Sequence, residues 1–309
     1  MSKFFEALER AEREADRPTP ASSPRPEAGP SGSPPPAAPP AASPPPAAPE
    51  PVAPSVFKAP ATVTRPPVDR ASRIGEHLVS LLNPASFEAE QYRVLRHLVE
   101  TLRKGANLQV VAVTSPGVGD GKTTTAINLA GSLAQAADAR VLLVDMDLRR
   151  PAVAGQLGLS GGRRGLAEAL LADSGLSLED TVETLAHFNL SVLPAGRATV
   201  APYELLKSPR LEALLDEARQ RYDYIVLDTP PFVPVPDCRV ITKSVDGFLV
   251  VVTVHRTPWG VLTEALDLID PAKVVGLVVN GDDTRRSSYY DVYAGSSRGA
   301  RGRGAWSRA

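Results

Sequence analysis

A glycine-rich segment between an apolar run and a helical pattern constrains the fold of this chain more than any other feature. The segment reads Ser115-Pro116-Gly117-Val118-Gly119-Asp120-Gly121-Lys122-Thr123-Thr124. Glycines let the backbone turn tightly, so that several N–H groups point at one anion, and the following helix adds its dipole. In such a loop Lys122 reaches the β- and γ-phosphates, and the Thr123 hydroxyl binds Mg²⁺. The segment therefore predicts a nucleotide-binding loop with contacts from Gly117, Gly119, Asp120, Gly121, Lys122, Thr123 and Thr124.

One position departs from the usual phosphate-loop pattern. Pro116 stands where the first glycine of that pattern is expected. The alternative interpretation is a glycine-rich turn without a ligand. The Gly-Lys-Thr ending between a strand and a helix favours nucleotide binding.

Apolar runs and helical periodicity alternate along the chain on both sides of this loop. Strands are predicted over 108–113, 141–145, 190–193, 224–228, 247–254 and 274–279, and helices over 86–103, 123–137, 166–172, 202–207, 209–220 and 260–269. Continuous apolar strands separated by helices indicate a parallel sheet that is covered on both faces. The predicted fold class is α/β, a doubly wound and mostly parallel sheet.

Composition divides the chain into four regions. Residues 18–70 are dominated by Pro, Ala and Ser, which cannot form a packed core, and are predicted to be a disordered linker. Residues 1–17 have the pattern of a short amphipathic helix, either a docking peptide or a frayed terminus. Residues 71–285 have the size of a single α/β domain, and 286–309, rich in Gly, Arg and Ser, are predicted to be a disordered tail.

Charge and cysteine content limit the environment and the partners. The formal net charge of −1 gives no global attraction to nucleic acid, so no nucleic-acid partner is expected. The single cysteine, Cys238, excludes an internal disulfide and fits a reducing cytoplasm. The longest apolar run, 247–254, is far shorter than the roughly 20 residues that span a bilayer. We expect a cytoplasmic protein that reaches the membrane only through a partner.

Acidic residues follow two of the predicted strands. Asp145 and Asp147 end one strand, and Asp228 ends a later one. In doubly wound sheets, ligands bind at the carboxyl ends of the strands, and carboxylate oxygens suit Mg²⁺. A single aspartate there is more often a turn or cap residue, but three beside one phosphate loop favour a metal site.

Taken together, these motifs resemble the bacterial tyrosine kinases of capsule and exopolysaccharide systems. The phosphate loop is similar to that family's Walker A motif, residues 145–151 to its Walker A′ motif, and residues 225–231 to its Walker B motif. Glu90, Arg93 and Arg96 match the ExxRxxR motif of the family. The resemblance covers about residues 84–282 and implies a tyrosine kinase that uses ATP and Mg²⁺.

The resemblance also implies roles for individual residues. Lys122 and Thr123 would hold phosphate and metal, and Asp228 would orient Mg²⁺ through water. Asp145 would lie near the metal, and either Asp145 or Asp147 would assist loss of the phenolic proton of the substrate tyrosine. Asn280 stands where related ATPases read adenine.

Two further features bear on assembly. In the family, the ExxRxxR motif mediates a ring-like homo-oligomer, whereas the residues alone fit a solvated helix face. Family members autophosphorylate a C-terminal tyrosine cluster, to which Tyr289, Tyr290 and Tyr293 would correspond. The alternatives for this segment are a frayed terminus and a basic tail that touches RNA or anionic lipid.

The expected function is an ATP-dependent protein-tyrosine autokinase that regulates polysaccharide synthesis and export. Some relatives carry a fused membrane segment, so the partner implied here is a separate membrane-embedded polysaccharide co-polymerase that acts as activator. One alternative is a partitioning ATPase, but Gly117 stands where those proteins carry a signature lysine. The other is a polysaccharide-export regulator that binds ATP without kinase activity, which the sequence does not exclude.

Overall fold

The computed structural model describes residues 74–159, 164–171 and 174–282 of the 309-residue chain. Its helices are α1 (Val79–Leu82), α2 (Phe87–Ala106), α3 (Lys122–Leu133), α4 (Val153–Gln156), α5 (Leu166–Ala169), α6 (Pro202–Lys207), α7 (Pro209–Arg221), α8 (Asp237–Ile241) and α9 (Trp259–Leu268). Its strands are β1 (Val110–Thr114), β2 (Val141–Asp145), β3 (Glu183–Leu185), β4 (Leu190–Leu193), β5 (Tyr224–Asp228), β6 (Gly247–Thr253) and β7 (Val274–Asn280). Three 3-10 turns lie at Ala186–Phe188, Thr242–Ser244 and Pro271–Lys273.

The strands form one sheet in the order β3-β4-β2-β5-β1-β6-β7. All neighbouring pairs are parallel except β3 and β4, which are antiparallel. From β1 the chain crosses to β2, which lies beyond β5. It later returns to β6, which lies on the opposite side of β1 from β5. This arrangement confirms the predicted doubly wound, mostly parallel α/β fold, and it places the ends of β1, β2 and β5 side by side.

Alternate residues of the central strands are buried on opposite faces of the sheet. Along β1, Val110 and Ala112 pack in one core with α6 to α9, whereas Val111 and Val113 pack in the other with α1 to α3. Every residue of β1 and β2 is buried. Burial on both faces explains why these strands read as continuous apolar runs.

Helix α3 is shorter than predicted, and a tertiary contact holds the segment that follows it. The sequence predicts a helix to residue 137, but α3 ends at Leu133. The Asn189 side-chain amide lies within hydrogen-bonding distance of the carbonyl oxygens of Ala134, Ala136 and Ala139, at 3.2 to 3.3 Å. These carbonyls follow the last helical residue, so a distant side chain holds the irregular turn through which the chain leaves α3.

The predicted strands correspond to six of the seven strands of the sheet. The element without a predicted counterpart, β3, has three residues, and of these only Leu185 is buried. The short helices α1, α4 and α8 were not predicted either, because four or five residues carry too little periodicity to recognise.

Several expectations lie outside the described residues. They are the helix at 1–17, the linker at 18–70 and the tail at 286–309 with Tyr289, Tyr290 and Tyr293. Within the described ranges, no helix is long and apolar enough to cross a membrane.

Candidate functional site

The glycine-rich segment forms a loop that leads from the end of β1 into α3. Gly119 and Gly121 both have φ of +88°, a conformation that favours glycine. A Cβ atom on Gly121 would lie 2.5 Å from Nδ2 of Asn280, so the loop also needs glycine here for space. Gly121 directly precedes Lys122, the first residue of α3, so the loop ends at the N-terminus of a 12-residue helix. This geometry is that of an anion-binding loop.

The segment that follows β5 makes hydrogen bonds to the end of β1 and to the start of this loop. The N–H of Phe232 donates to the carbonyl oxygen of Ser115 over 2.8 Å, and the Thr229 hydroxyl donates to that of Val113 over 2.9 Å. The thiol of Cys238 donates to the carbonyl oxygen of Pro230 over 3.0 Å, and burial raises its pKa to about 12. Cys238 is therefore an unreactive thiol that packs beneath the site.

Lys122 and Asp147 form an ion pair at the entrance to α3. Lys122 Nζ lies 3.3 Å from Asp147 Oδ2, and the two side chains are 14% and 4% exposed. The other oxygen of Asp147 accepts the N–H of Arg150 over 3.0 Å. The phosphate-loop lysine is thus directed to the sheet edge at which the carboxylates lie.

Asp145 is fully buried at the end of β2 and is held by the backbone that follows it. Its two oxygens accept the N–H groups of Asp147, Ala152 and Val153 over 3.1 to 3.2 Å. Burial raises its pKa to about 7; the charge of Asp147 adds to this rise, and the backbone hydrogen bonds oppose it. Three of the roughly four acceptor positions of a carboxylate are occupied, which leaves room for one further contact.

Asp228 is the Cα partner of Asp145 in the sheet and lies at the centre of the site. Both of its oxygens are buried and lack a hydrogen-bond partner among the described residues. Burial raises its pKa to about 8, with a further rise from Asp145, whereas Lys122 and the nearby Thr123 hydroxyl lower it.

These residues fit a magnesium site of the kind that nucleotide-binding proteins use. A buried carboxylate without hydrogen-bond donors needs a proton or a bound cation to neutralise its charge. Among the described residues, Asp228 is such a carboxylate, and its oxygens can take either one. Within the residues that the structure covers, no three His, Cys, Asp or Glu side chains form a cage for a metal. Mg²⁺ does not require one, because it takes one or two protein carboxylates and completes its shell with water and phosphate.

Asn280 lies against the phosphate loop itself. Its Nδ2 donates to the carbonyl oxygen of Asp120 over 2.9 Å and lies 3.4 Å from the Thr125 hydroxyl. The family resemblance implies that this residue reads adenine, and that role stays a prediction. In the structure its amide holds the backbone that leads into α3.

An ion pair beside the site, between an exposed arginine and a buried aspartate, was not predicted. Arg149, in the segment after β2, makes two hydrogen bonds of 2.7 and 2.9 Å to Asp237 at the start of α8. The Asp237 side chain is completely buried, and this contact raises the pKa of the arginine. Arg149 belongs to the Walker A′ pattern, but its partner is 88 residues away and belongs to no pattern.

The three residues of the ExxRxxR pattern lie on α2, which packs on α3. Arg93 contacts Glu90 and the carbonyl oxygen of Pro84. Arg96 pairs with Glu100 at 2.6 Å and donates to the carbonyl oxygen of Ser132 over 2.9 Å. Both arginines are therefore engaged within the chain, and their role in an oligomer stays a prediction.

Comparison with known proteins identifies the family. Residues 108–269 match the AAA domain family. The chain is 33% identical to the tyrosine-protein kinase YwqD of Bacillus subtilis over 227 residues, which are 73% of this chain and 94% of the relative. It is also 31% identical to the succinoglycan biosynthesis transport protein ExoP of Rhizobium meliloti over 220 residues, 70% of this chain but only 28% of that longer protein.

A solved structure gives the same result. The kinase domain of the Escherichia coli tyrosine kinase ETK superposes with a TM-score of 0.63 at 27% identity, over 68% of this chain and 82% of that one. The fold and the phosphate loop define a P-loop nucleotide-binding protein. Within that class, the chain belongs to the bacterial tyrosine kinases.

Proposed function

We propose that this chain is an ATP- and Mg²⁺-dependent protein-tyrosine autokinase that regulates the synthesis and export of a polysaccharide. The observation that carries the proposal is the meeting of three groups at one sheet edge. They are an anion-binding loop after β1, the Lys122–Asp147 pair beside β2, and the unsatisfied carboxylate of Asp228 after β5. Membership of the tyrosine kinase family supports the same conclusion.

Each of these groups has its own role in phosphoryl transfer, a reaction that requires positioning and charge neutralisation more than covalent catalysis. The loop N–H groups and Lys122 bind the phosphates of ATP. Thr123 and Asp228 would hold Mg²⁺, with Asp145 beside it, and the metal would supply charge neutralisation at the phosphates. Lys122 then turns from Asp147 to the phosphates.

The carboxylates after β2 have different surroundings. Asp145 accepts three backbone N–H groups, whereas Asp147, among the residues that the structure describes, has one backbone donor besides Lys122. We infer that Asp145 holds the shape of the segment and that Asp147 accepts the proton of the substrate hydroxyl. Tyrosine has an ordinary pKa of about 10, so removal of this proton needs such a base.

The polysaccharide connection comes from relatives such as ExoP, a succinoglycan biosynthesis transport protein. This chain corresponds to 28% of ExoP. We infer that a separate membrane-embedded co-polymerase recruits and activates this chain at the inner face of the membrane, and that the active form is a homo-oligomer.

The variant Lys122→Ala tests the kinase assignment. We expect the full-length chain, incubated with Mg²⁺ and γ-labelled ATP, to acquire phosphotyrosine, and the variant to lose at least about a hundredfold in rate because the phosphates lose a cation in a shielded site. Circular dichroism should show an intact fold, since Lys122 makes its only described ion pair with Asp147. Lys104→Ala, an exposed lysine at the end of α2, is the matched control.

Two outcomes would contradict this proposal. Phosphotyrosine formation unchanged by Lys122→Ala would reject the loop as the catalytic phosphate site. ATP binding without any phosphotyrosine, with the proposed co-polymerase activator present, would favour a polysaccharide-export regulator that lacks kinase activity.

A further inference from the structure

The turn between β6 and α9, residues 254–258, contacts the phosphate loop, although no sequence motif predicts this contact. The Thr257 hydroxyl donates to Oδ1 of Asp120 over 2.7 Å. Nη1 of Arg256 donates to the carbonyl oxygen of Gly119 over 3.2 Å. Both contacts reach the residues that directly precede Gly121 and the start of α3.

Hydrogen bonds fix the shape of this turn. The N–H of Thr253 donates to the Thr257 hydroxyl over 2.8 Å, and the N–H groups of Arg256 and Thr257 donate back to the Thr253 carbonyl over 3.2 and 3.0 Å. His255 has φ of +59°, which is uncommon for a residue other than glycine. A backbone conformation of this kind persists only where its surroundings determine it. The turn is therefore a defined support for the residues it carries.

Asp120 is the residue of the loop that needs this support. It is a buried carboxylate, 4% exposed, within a loop whose proposed ligand is a polyphosphate. One oxygen accepts the N–H of Gly117 over 3.2 Å, and the other accepts the Thr257 hydroxyl. Charge-assisted hydrogen bonds are stronger than neutral ones, so these two bonds hold the carboxylate against the loop backbone. A carboxylate released from them would be free to repel the phosphates.

Arg256 adds a positive charge at the same place. A Cβ atom on Gly119 would lie 2.5 Å from Nη2 of Arg256, so the guanidinium lies directly against the loop. Arg256 is exposed, and in the described part of the chain it has no carboxylate partner. Its charge therefore offsets that of Asp120 beside the proposed phosphate site.

We propose that Thr257 and Arg256 are positioning residues for the phosphate loop, with Thr257 acting through Asp120. The inference rests on the proposed function, because it takes ATP as the ligand of the loop. It assigns a role in nucleotide binding to a turn at the end of β6, 137 residues from the loop along the chain.

Thr257→Val removes the hydroxyl and keeps the shape of the side chain. We expect the affinity of the full-length chain for Mg·ATP, measured by titration calorimetry, to fall about tenfold, since a hydrogen bond to a charged group is lost. Thr257→Ser should restore the affinity to within about threefold of the unmodified chain. Thr263→Val is the matched control, because the Thr263 hydroxyl donates to the Trp259 carbonyl within α9 and, in the described part of the chain, makes no contact with the phosphate loop.

A double-mutant cycle separates positioning through Asp120 from a merely structural effect on the turn. In an Asp120→Ala background, Thr257→Val should change the affinity less than twofold, because the partner is already absent. An equal effect of Thr257→Val in both backgrounds would overturn the inference, as would unchanged ATP affinity in a folded Thr257→Val protein. Failure of the unmodified chain to bind ATP would instead overturn the proposed function and the inference with it.

Discussion

Asp228 ends β5 with both carboxylate oxygens buried and, within the described residues, without a hydrogen-bond donor. Its pKa of about 8 means that the protonated form dominates at neutral pH. A cation at the site would replace that proton. The residue is thus poorly suited to stabilise the fold and well suited to bind a metal.

The variant Asp228→Asn tests whether this buried carboxylate lowers the stability of the fold in a pH-dependent way. The folded-state pKa is raised above the ordinary value of 3.8, so the fold favours the protonated form; this favourable contribution is fully present below pH 3.8 and is lost progressively as pH rises from there to about 8. In the presence of EDTA, we expect the free energy of unfolding of the variant to exceed that of the unmodified chain by about 1 to 3 kcal/mol at pH 9. The difference should be smaller at pH 5. Urea unfolding at the two pH values measures this.

The control for this comparison is Asp216→Asn, which changes an exposed aspartate on α7. It should leave the stability difference between pH 5 and pH 9 unchanged. A variant at Asp228 that is no more stable than the unmodified chain at pH 9 would mean that the buried charge is compensated. In either case, Asp228→Asn should abolish phosphotyrosine formation.

At the scale of the element, helix α2 packs against the core with one face and exposes apolar side chains on the other. Arg96 ties it to the end of α3 through the Ser132 carbonyl, and Leu95, Val99 and Leu102 pack into the core. On the outer face, Val94 is 63% exposed and Leu98 is 39% exposed. An apolar outer face beside charged residues supports the proposed subunit contact.

Arg93→Ala combined with Arg96→Ala should shift the protein from oligomer towards monomer in analytical ultracentrifugation and lower autophosphorylation between subunits. The single variants should differ in stability. Arg96→Ala also removes the bond to Ser132, so we expect its melting temperature to fall by roughly 2 to 4 °C, as a loss of about 1 kcal/mol predicts for a domain of this size.

His97→Ala, an exposed residue of the same helix, should change neither the assembly state nor the melting temperature. If the double variant sediments like the unmodified chain, the ExxRxxR residues form a solvated face and serve only the fold of the subunit.

At the scale of the whole molecule, the end of the sheet limits where the C-terminal tyrosines can reach. Asn280 ends β7 and contacts the phosphate loop, and Tyr289 follows it by nine residues. Nine extended residues span at most about 30 Å. The segment therefore starts beside an active site and can reach that of an adjacent subunit only in a close assembly.

Replacing Tyr289, Tyr290 and Tyr293 together by Phe should remove most incorporated phosphate and preserve ATP binding. In the unmodified chain, each phosphotyrosine adds roughly −1.5 to −2 charges, which should drive the tail from a site lined with carboxylates and promote dissociation of the oligomer. Arg285, Arg286 and Arg298 offset part of this charge, so we expect graded dissociation.

Mass spectrometry of the tail, together with sedimentation before and after phosphorylation, measures both effects. Tyr203→Phe, on α6, is the matched control. Phosphate found mainly on other residues would reject the tail as the acceptor.

Much of this fold could be predicted because its signals are local. The ends of β2, β4 and β5 agree with the sequence patterns, since strands buried on both faces must be apolar whatever their neighbours are. The phosphate loop is similarly self-contained, because its glycines, Lys122 and the start of α3 are adjacent in the chain. Asp145 and Asp228 could be expected to meet, since the ends of parallel strands share one edge.

The sequence by itself determined the fold class, the phosphate loop and the carboxylates beside it, because each depends on residues close together in the chain or on the periodicity of one element. Only the tertiary structure decided the Arg149–Asp237 pair, the contact of Thr257 with Asp120 and the place of Asn280 against the loop. These contacts join residues 88 to 160 positions apart. They depend on which strands become neighbours and where side chains point after packing, and a hydrogen bond forms only within a few tenths of an ångström of its ideal length.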